Sequence, residues 1–302
     1  MPMQTCLRFA HASSGGHVNL TGKKIALVVN DYDKRALAAA DRLHQWCADN
    51  AVSIHSVKDD APSDLVVALG GDGTIIRAVH EFSDGDIPVL GVKFGRLGFL
   101  SGAPAEELLV AVEAALRGKA EIERRALLRV DAYAGQQHLG THYALNEALV
   151  GRHSDSQVIS TRLNINNHTV YQLRGDGIIV ATATGSTAYA LSAGGPILSP
   201  ESSAMVLVPL ASHTLISRAI VTAPKDVVRI DMPDPDHAGA SLSIDGTVVI
   251  DNVYLERSNP CIEQHLTHIE VCIASNHWVS LVKTSSRLFF DTLATEFYRH
   301  ED

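Results

Sequence analysis

DLVVALGGDGTIIRAVHE, residues 64–81, reads as a buried strand running through a glycine turn directly into a helix. The run Leu65-Val66-Val67-Ala68-Leu69 has no polar alternation, as expected of a strand covered on both faces, and the apolar residues after Thr74 recur at helical spacing. The segments on either side repeat this rhythm. Residues 25–30 (IALVVN), 52–57 and 87–92 read as strands. Residues 34–50 place Leu37, Ala40, Leu43 and Cys47 on one helical face, and a helix over 105–117 stops at Gly118, where a C-terminal glycine relieves the backbone. Alternating strands and helices predict an α/β domain with a parallel sheet covered on both faces.

After about residue 124 the pattern changes to strands separated by turn residues. These are expected at 128–133, 142–150, 157–165, 177–182, 205–210, 227–232, 241–244, 247–250, 253–257, 268–273 and 278–282. Residues 287–300 read as a helix with Leu288, Leu293, Phe297 and Tyr298 apolar, packing back on the first domain. The expected organisation is a loose arm over 1–22, an α/β domain over 23–123 and an all-β domain over 124–283. A returning C-terminal helix covers 284–302, and the site lies in the cleft between the domains. No internal repeat or low-complexity tract interrupts this plan.

Composition narrows the function classes. The 302 residues are 46% hydrophobic and 20% charged, an ordinary globular mixture, with a net charge of −9 that disfavours nucleic acid and anionic membrane as partners. Neither a membrane-spanning apolar run nor a greasy leader is present, and four cysteines are too few to staple a chain of this length. The expected location is therefore the cytoplasm, with reduced thiols.

Two constellations carry chemistry. In the first, Gly70, Gly71 and Gly73 let the backbone turn tightly before Thr74, and the amides of the turn and helix N-terminus present a positive concavity to phosphate. Asp72 would repel that phosphate unless it accepts a proton from a reacting hydroxyl or holds Mg²⁺, directly or through water. The alternative is a simple βα turn with Asp72 or Thr74 as helix cap. Arg77 sits in the first helical turn, where the dipole disfavours a cation, so a nearby anionic ligand would explain it, as would simple solvation. In the second constellation, DGIIVATATGSTAY, a buried strand ends in Thr184, Ser186 and Thr187 around Gly185, followed by the ring of Tyr189. Such a surface suits a sugar or a base, or else forms a hydroxyl-rich turn capping a helix. A further group, Cys261, His265, His268 and Cys272, has spacing that fits zinc poorly and reads as ordinary strand and turn.

The GGDGT loop, residues 91–100 (GVKFGRLGFL), Leu145-Asn146-Glu147, the DGIIVATATGSTAYALSAGGPI run and Ile244-Asp245-Gly246 occur in the order seen in NAD kinases, and the chain resembles that family over about residues 23–297. The resemblance implies transfer of the terminal phosphoryl group of ATP, or of polyphosphate, to the 2′-hydroxyl of the adenosine ribose of NAD, with a divalent metal ion, Mg²⁺ by expectation. It makes Asp72 the proposed base and gives Asn146 and Glu147 hydrogen bonds to the adenosine portion. Arg174, Asp176, the stretch Thr187, Ala188, Tyr189 and Ser192, and Asp245 fall among the binding residues by the same resemblance. It also implies a homodimer or homotetramer. The chain departs from the family pattern at Lys93, where asparagine is usual, at Ala183, usually proline, and at Thr247, often glutamine. Because the GGDGT loop also occurs in lipid kinases, a kinase of diacylglycerol or a sphingoid base is the alternative enzyme, and a nucleotide sensor without turnover is the alternative outside enzymes.

Overall fold

The computed structural model describes residues 19–56, 61–82, 87–95, 98–152, 158–213, 217–233, 240–251, 265–284 and 289–298. The first half runs β1 (Lys24–Val29), α1 (Lys34–Asp49), β2 (Ser53–Ser56), β3 (Leu65–Leu69), α2 (Asp72–Glu81), β4 (Val89–Lys93), β5 (Ala103–Pro104), a 3₁₀ turn (Ala105–Glu107) and α3 (Leu108–Leu116). Then follow β6 (Glu121–Ala134), β7 (Gln137–Ala144), β8 (Glu147–Arg152), β9 (Ile159–Ile165), β10 (His168–Gly175) and β11 (Gly177–Ala181). A 3₁₀ turn (Gly185–Thr187) leads to α4 (Tyr189–Ser192), β12 (Val206–Leu210), β13 (Ile220–Val221), β14 (Val228–Asp231), β15 (Ala240–Ile244), β16 (Thr247–Asp251), β17 (His268–Lys283) and α5 (Phe289–Tyr298). Among the described residues no helix is long and apolar enough to cross a membrane.

The expected parallel sheet forms, with β4, β3, β1 and β2 side by side. Strand β3 is buried on both faces. Leu65, Val67 and Leu69 join Ala36, Leu43 and Val112 of α1 and α3, while Val66 and Ala68 point the other way to Ile75, Ala78 and Val79 of α2. Because β2 returns to one side of β1 and β3 takes the other, the chain reverses direction across the sheet between β1 and β3. A crevice therefore opens at their carboxyl ends, the usual place for a ligand in such sheets.

The β-rich half is a sandwich. A six-stranded sheet, β13-β12-β11-β8-β15-β16, packs Val150, Ile178, Val180 and Leu242 against Leu128, Val130, Leu163 and Ile269 of the larger sheet. That larger sheet is continuous with the parallel one, since β17 pairs with β4 at Leu281 and Val89 and also carries β14 and β6 on antiparallel ladders. Helix α5 returns to the first half, with the Phe289 ring centroid 5.5 Å from that of Phe99.

Several elements differ from the sequence reading. Residues 142–150 are not one strand, because the ladder breaks at Leu145 and Asn146 between β7 and β8. Residues 268–273 and 278–282 are one strand, β17, whose polar segment Ser275-Asn276-His277 is absorbed by a register shift between Ile273 and Trp278. Strand β6 begins at Glu121 rather than 128, its charged start carried by an ion pair between Arg125 and Glu123. Strand β10 lacks an apolar run because it is an exposed sheet edge. The strand expected at 253–257, Cys261 and the arm before residue 19 lie outside the described residues.

Candidate active site

The GGDGT turn sits at the carboxyl end of β3, beside the crevice. Gly70 is fixed by a backbone bond to Val92 (3.0 Å) and has no room for a side chain, since a Cβ would lie 2.3 Å from Thr74 Oγ1. Gly71 and Gly73 instead border open space, so backbone and ligand can approach closely there. Helix α2 is capped by Gly71 with no side-chain hydrogen bond, so neither Asp72 nor Thr74 serves as its cap. Asp72 is the first helical residue. Its Oδ1 is buried without a hydrogen-bond partner among the described residues, and its Oδ2 lies 3.6 Å from Lys93 Nζ. Arg77 donates to Val29 O at 2.6 Å.

The break between β7 and β8 is held by Asp245. Its side chain is 1% exposed and accepts from the amides of Leu145 (2.8 Å), Asn146 (2.7 Å) and Glu147 (2.9 Å), while His80 Nε2 of α2 donates to it at 2.8 Å. Asp245 takes a left-handed conformation, φ 47°, that aspartate tolerates better than most residues. It therefore organises the Asn146-Glu147 backbone and ties that turn to the helix carrying Asp72. Glu147 is buried with Oε2 unpartnered among the described residues. Burial, reinforced by the charge of Asp245, raises its pKa to about 7.

The hydroxyl-rich turn packs on this element, and Gly185 is obligatory there because a Cβ would lie 2.1 Å from Asn146 O. Ser186 is fully engaged within the protein, donating to Ala183 O (2.6 Å) and accepting from Leu198 N (2.9 Å). Thr184 accepts from buried Arg125 (3.2 Å), and Thr187 donates to Thr184 O (3.1 Å). Tyr189, 47% exposed, and exposed Ser192 lie on the short helix α4, with Ala188 half-buried just before it. Arg174 and Asp176 are not brought to this turn. Asp176 pairs with Arg152 at 2.7 Å and Arg174 is exposed on β10, at the other end of the five-residue β11, roughly 15 Å of strand away.

Three charged residues that sequence reading passed over join the segment around Ser101 to the hydroxyl-rich turn. Lys283 donates to Ser101 O (2.9 Å) and Phe99 O (3.3 Å) and lies 3.8 Å from Glu123, which pairs with Arg125 at 2.9 Å, and Arg125 reaches Thr184. Burial lowers the Lys283 pKa to about 8. The charged cluster Glu123-Arg124-Arg125, set just before an apolar run, was the available signal. Among the described residues no three His, Cys, Asp or Glu side chains converge on a metal position. The orphaned oxygen of Asp72 nevertheless suits Mg²⁺, which binds through one or two carboxylates together with substrate phosphates.

A glycine-turned phosphate cradle at the reversal point of a parallel sheet, joined to a β-sandwich bearing a hydroxyl-rich turn, defines a two-part nucleotide phosphotransferase. Residues 56–120 match the family ATP-NAD kinase N-terminal domain and residues 145–259 the ATP-NAD kinase C-terminal domain. The chain is 30% identical to an NAD kinase of Geotalea daltonii over 91% of its own length and 98% of that protein's. It is 34% identical to one of Citrifermentans bemidjiense over 75% and 85%. Among solved structures, yeast NADH kinase complexed with NADH aligns with TM-score 0.77 at 20% identity, over 93% of this chain and 89% of that one. An NAD kinase from Archaeoglobus fulgidus in complex with ATP aligns with TM-score 0.65 at 25% identity, over 90% and 99%. The chain belongs to the NAD kinase family.

Proposed function

We propose that this protein transfers the terminal phosphoryl group of ATP to the 2′-hydroxyl of the adenosine ribose of NAD, giving NADP and ADP. The observation that carries the reading is the Asp72 carboxylate, set in a glycine phosphate cradle with one buried oxygen that the described protein leaves unpartnered. In the step, the 2′-oxygen bonds to the γ-phosphorus as the bond to the β–γ bridging oxygen breaks, and the hydroxyl proton passes to Asp72. Asp72, directly or through water, and the phosphate oxygens would hold Mg²⁺, which would supply charge neutralisation when bound. Gly70, Gly71, Gly73 and Thr74 approach the phosphates, with Arg77 bordering them, while Asn146 and Glu147 hold the adenosine portion. The turn Thr184, Ser186, Thr187, Ala188, Tyr189 and Ser192 walls the dinucleotide, and Arg174 and Asp176 lie toward its far end. The α/β half, 23–123, and the β-rich half, 124–283, contribute one constellation each.

Exposed valines at both edges of the six-stranded sheet, Val221 on β13 and Val248 and Val249 on β16, support assembly as a homodimer or homotetramer. Cys47 and Cys272 are free thiols, which accords with a cytoplasmic location. One reaction containing ATP, Mg²⁺ and NAD, read by an NADP-specific dehydrogenase beside parallel lipid acceptors, tests the function. NADP should form in the first tube alone. Phosphorylated lipid without NADP would establish the lipid kinase, and tight NAD binding without product the sensor.

Glu147 gives a pH signature. Its folded pKa of about 7 lies above the ordinary 4.5, so the folded protein holds an extra proton and its stability falls as pH rises between those values. An ionised carboxylate accepts a hydrogen bond from NAD more strongly than the neutral acid, so affinity moves the opposite way. NAD binding measured calorimetrically should tighten about tenfold from pH 6 to pH 8, with proton release, and Glu147→Gln should flatten that dependence. A wild-type affinity independent of pH would remove Glu147 from the binding set.

A further inference from the structure

We propose that Lys93 contacts the transferred phosphoryl group, offsetting the Asp72 charge before the phosphoryl donor arrives and meeting the γ-phosphate oxygens once it is bound. This rests on the phosphoryl-transfer reading above. Lys93 is the last residue of β4, the strand beside β3, so the sheet itself delivers the lysine to the carboxyl-end crevice that receives the GGDGT turn. Its ammonium stands 3.6 Å from Asp72 Oδ2, an ion pair longer than a hydrogen bond, and so retains N–H groups for a phosphate. Both groups close over Gly98, where a Cβ would lie 2.6 Å from Asp72 Oδ1, Asp72 Oδ2 and Lys93 Nζ alike. Glycine at position 98 thus keeps a hollow between carboxylate and ammonium.

The other nearby cations make contacts away from Asp72. Arg77 donates through Nη2 to Val29 O, and Lys283 is shared between two backbone carbonyls and Glu123. A phosphoryl group in flight carries its charge on three equatorial oxygens, and a fixed ammonium beside the attacking hydroxyl's base stabilises that charge without forming a bond or moving a proton. It also lets a polyanion approach a site that already holds a carboxylate.

The test uses the full chain and inorganic tripolyphosphate, which lacks base and sugar, titrated calorimetrically at several salt concentrations beside steady-state kinetics with ATP and NAD. Lys93→Met should weaken tripolyphosphate binding and raise the ATP KM about tenfold, lower kcat by a similar factor, and reduce the salt dependence of binding. NAD affinity should stay within twofold. Lys93→Arg, which restores the charge lost in Lys93→Met, should recover tripolyphosphate binding to within about threefold of wild type. Unchanged tripolyphosphate affinity and salt dependence in Lys93→Met would overturn the proposal, as would a wild-type protein that does not bind tripolyphosphate. Loss of tripolyphosphate binding in a protein whose wild type forms no NADP would uphold the phosphate contact while refuting the NAD kinase reading. Should Lys93→Met fail to fold, Lys93→Gln takes its place. Tripolyphosphate binding weakened about tenfold with a reduced salt slope upholds the contact, and binding and salt slope equal to wild type overturn it.

Discussion

Asp72→Asn should lower kcat by roughly 10² to 10⁴, the span expected when a positioned proton acceptor is lost. The substitution keeps size and shape but removes both the basic oxygen and the negative charge. Helix α2 takes no side-chain cap from Asp72, so the variant forfeits no capping bond, only the favourable placement of an anion at a helix N-terminus, about 0.3–1 kcal/mol. The ion pair with Lys93 is partly exposed on both sides and adds little to stability. The unfolding midpoint should therefore barely move while turnover collapses. NAD affinity should hold or improve slightly, because a carboxylate near dinucleotide phosphates repels them. Measuring kcat and the urea midpoint on one preparation separates catalysis from structure. Wild-type turnover by Asp72→Asn would end the assignment of the base.

For Asp245→Ala the expected outcome is the reverse, a large stability loss with binding lost in consequence. Three backbone amides and His80 converge on this carboxylate, and alanine supplies no acceptor to any of them. Each unsatisfied buried amide costs about 1–3 kcal/mol, with water recovering part, so a loss on the order of 3–5 kcal/mol follows, much of a domain's usual margin. Alanine also takes the left-handed backbone at φ 47° less readily than aspartate. Asp245→Asn retains one acceptor oxygen and should fall between the two. The urea midpoint and NAD titration of the surviving folded fraction read both effects. A midpoint equal to wild type would show that the Asn146-Glu147 turn stands without Asp245.

The two experiments address different physics. Asp72 has a buried oxygen that nothing in the described protein satisfies, the state expected under the proposed function. Asp245 has both oxygens satisfied from within, so under the proposed function it would act through the backbone that it organises. Ser186 belongs with Asp245 in this respect, since its hydroxyl closes the turn and steadies Leu198. A hydroxyl or carboxylate in a binding motif can therefore shape a site without touching the ligand, and hydrogen-bond partners tell the two cases apart.

By itself the sequence determined the elements whose cause is local. The apolar run at 65–69, the glycines at 70, 71 and 73 and the helical spacing after Thr74 specify strand, turn and helix whatever surrounds them, and the hydroxyl-rich turn after Ala181 was legible in the same way. Motif order supplied the family. Tertiary structure alone decided which groups meet. Asp245 reaches amides a hundred positions earlier, β17 draws the parallel and antiparallel ladders into one sheet, and Glu123, Arg125 and Lys283 form a partly buried link to Thr184. Periodicity records which face of an element is apolar, but not which element will cover it or at what register. Burial and hydrogen-bond partners, which make Glu147 a weak acid and leave Asp72 an open oxygen, come into being only when those distant neighbours assemble.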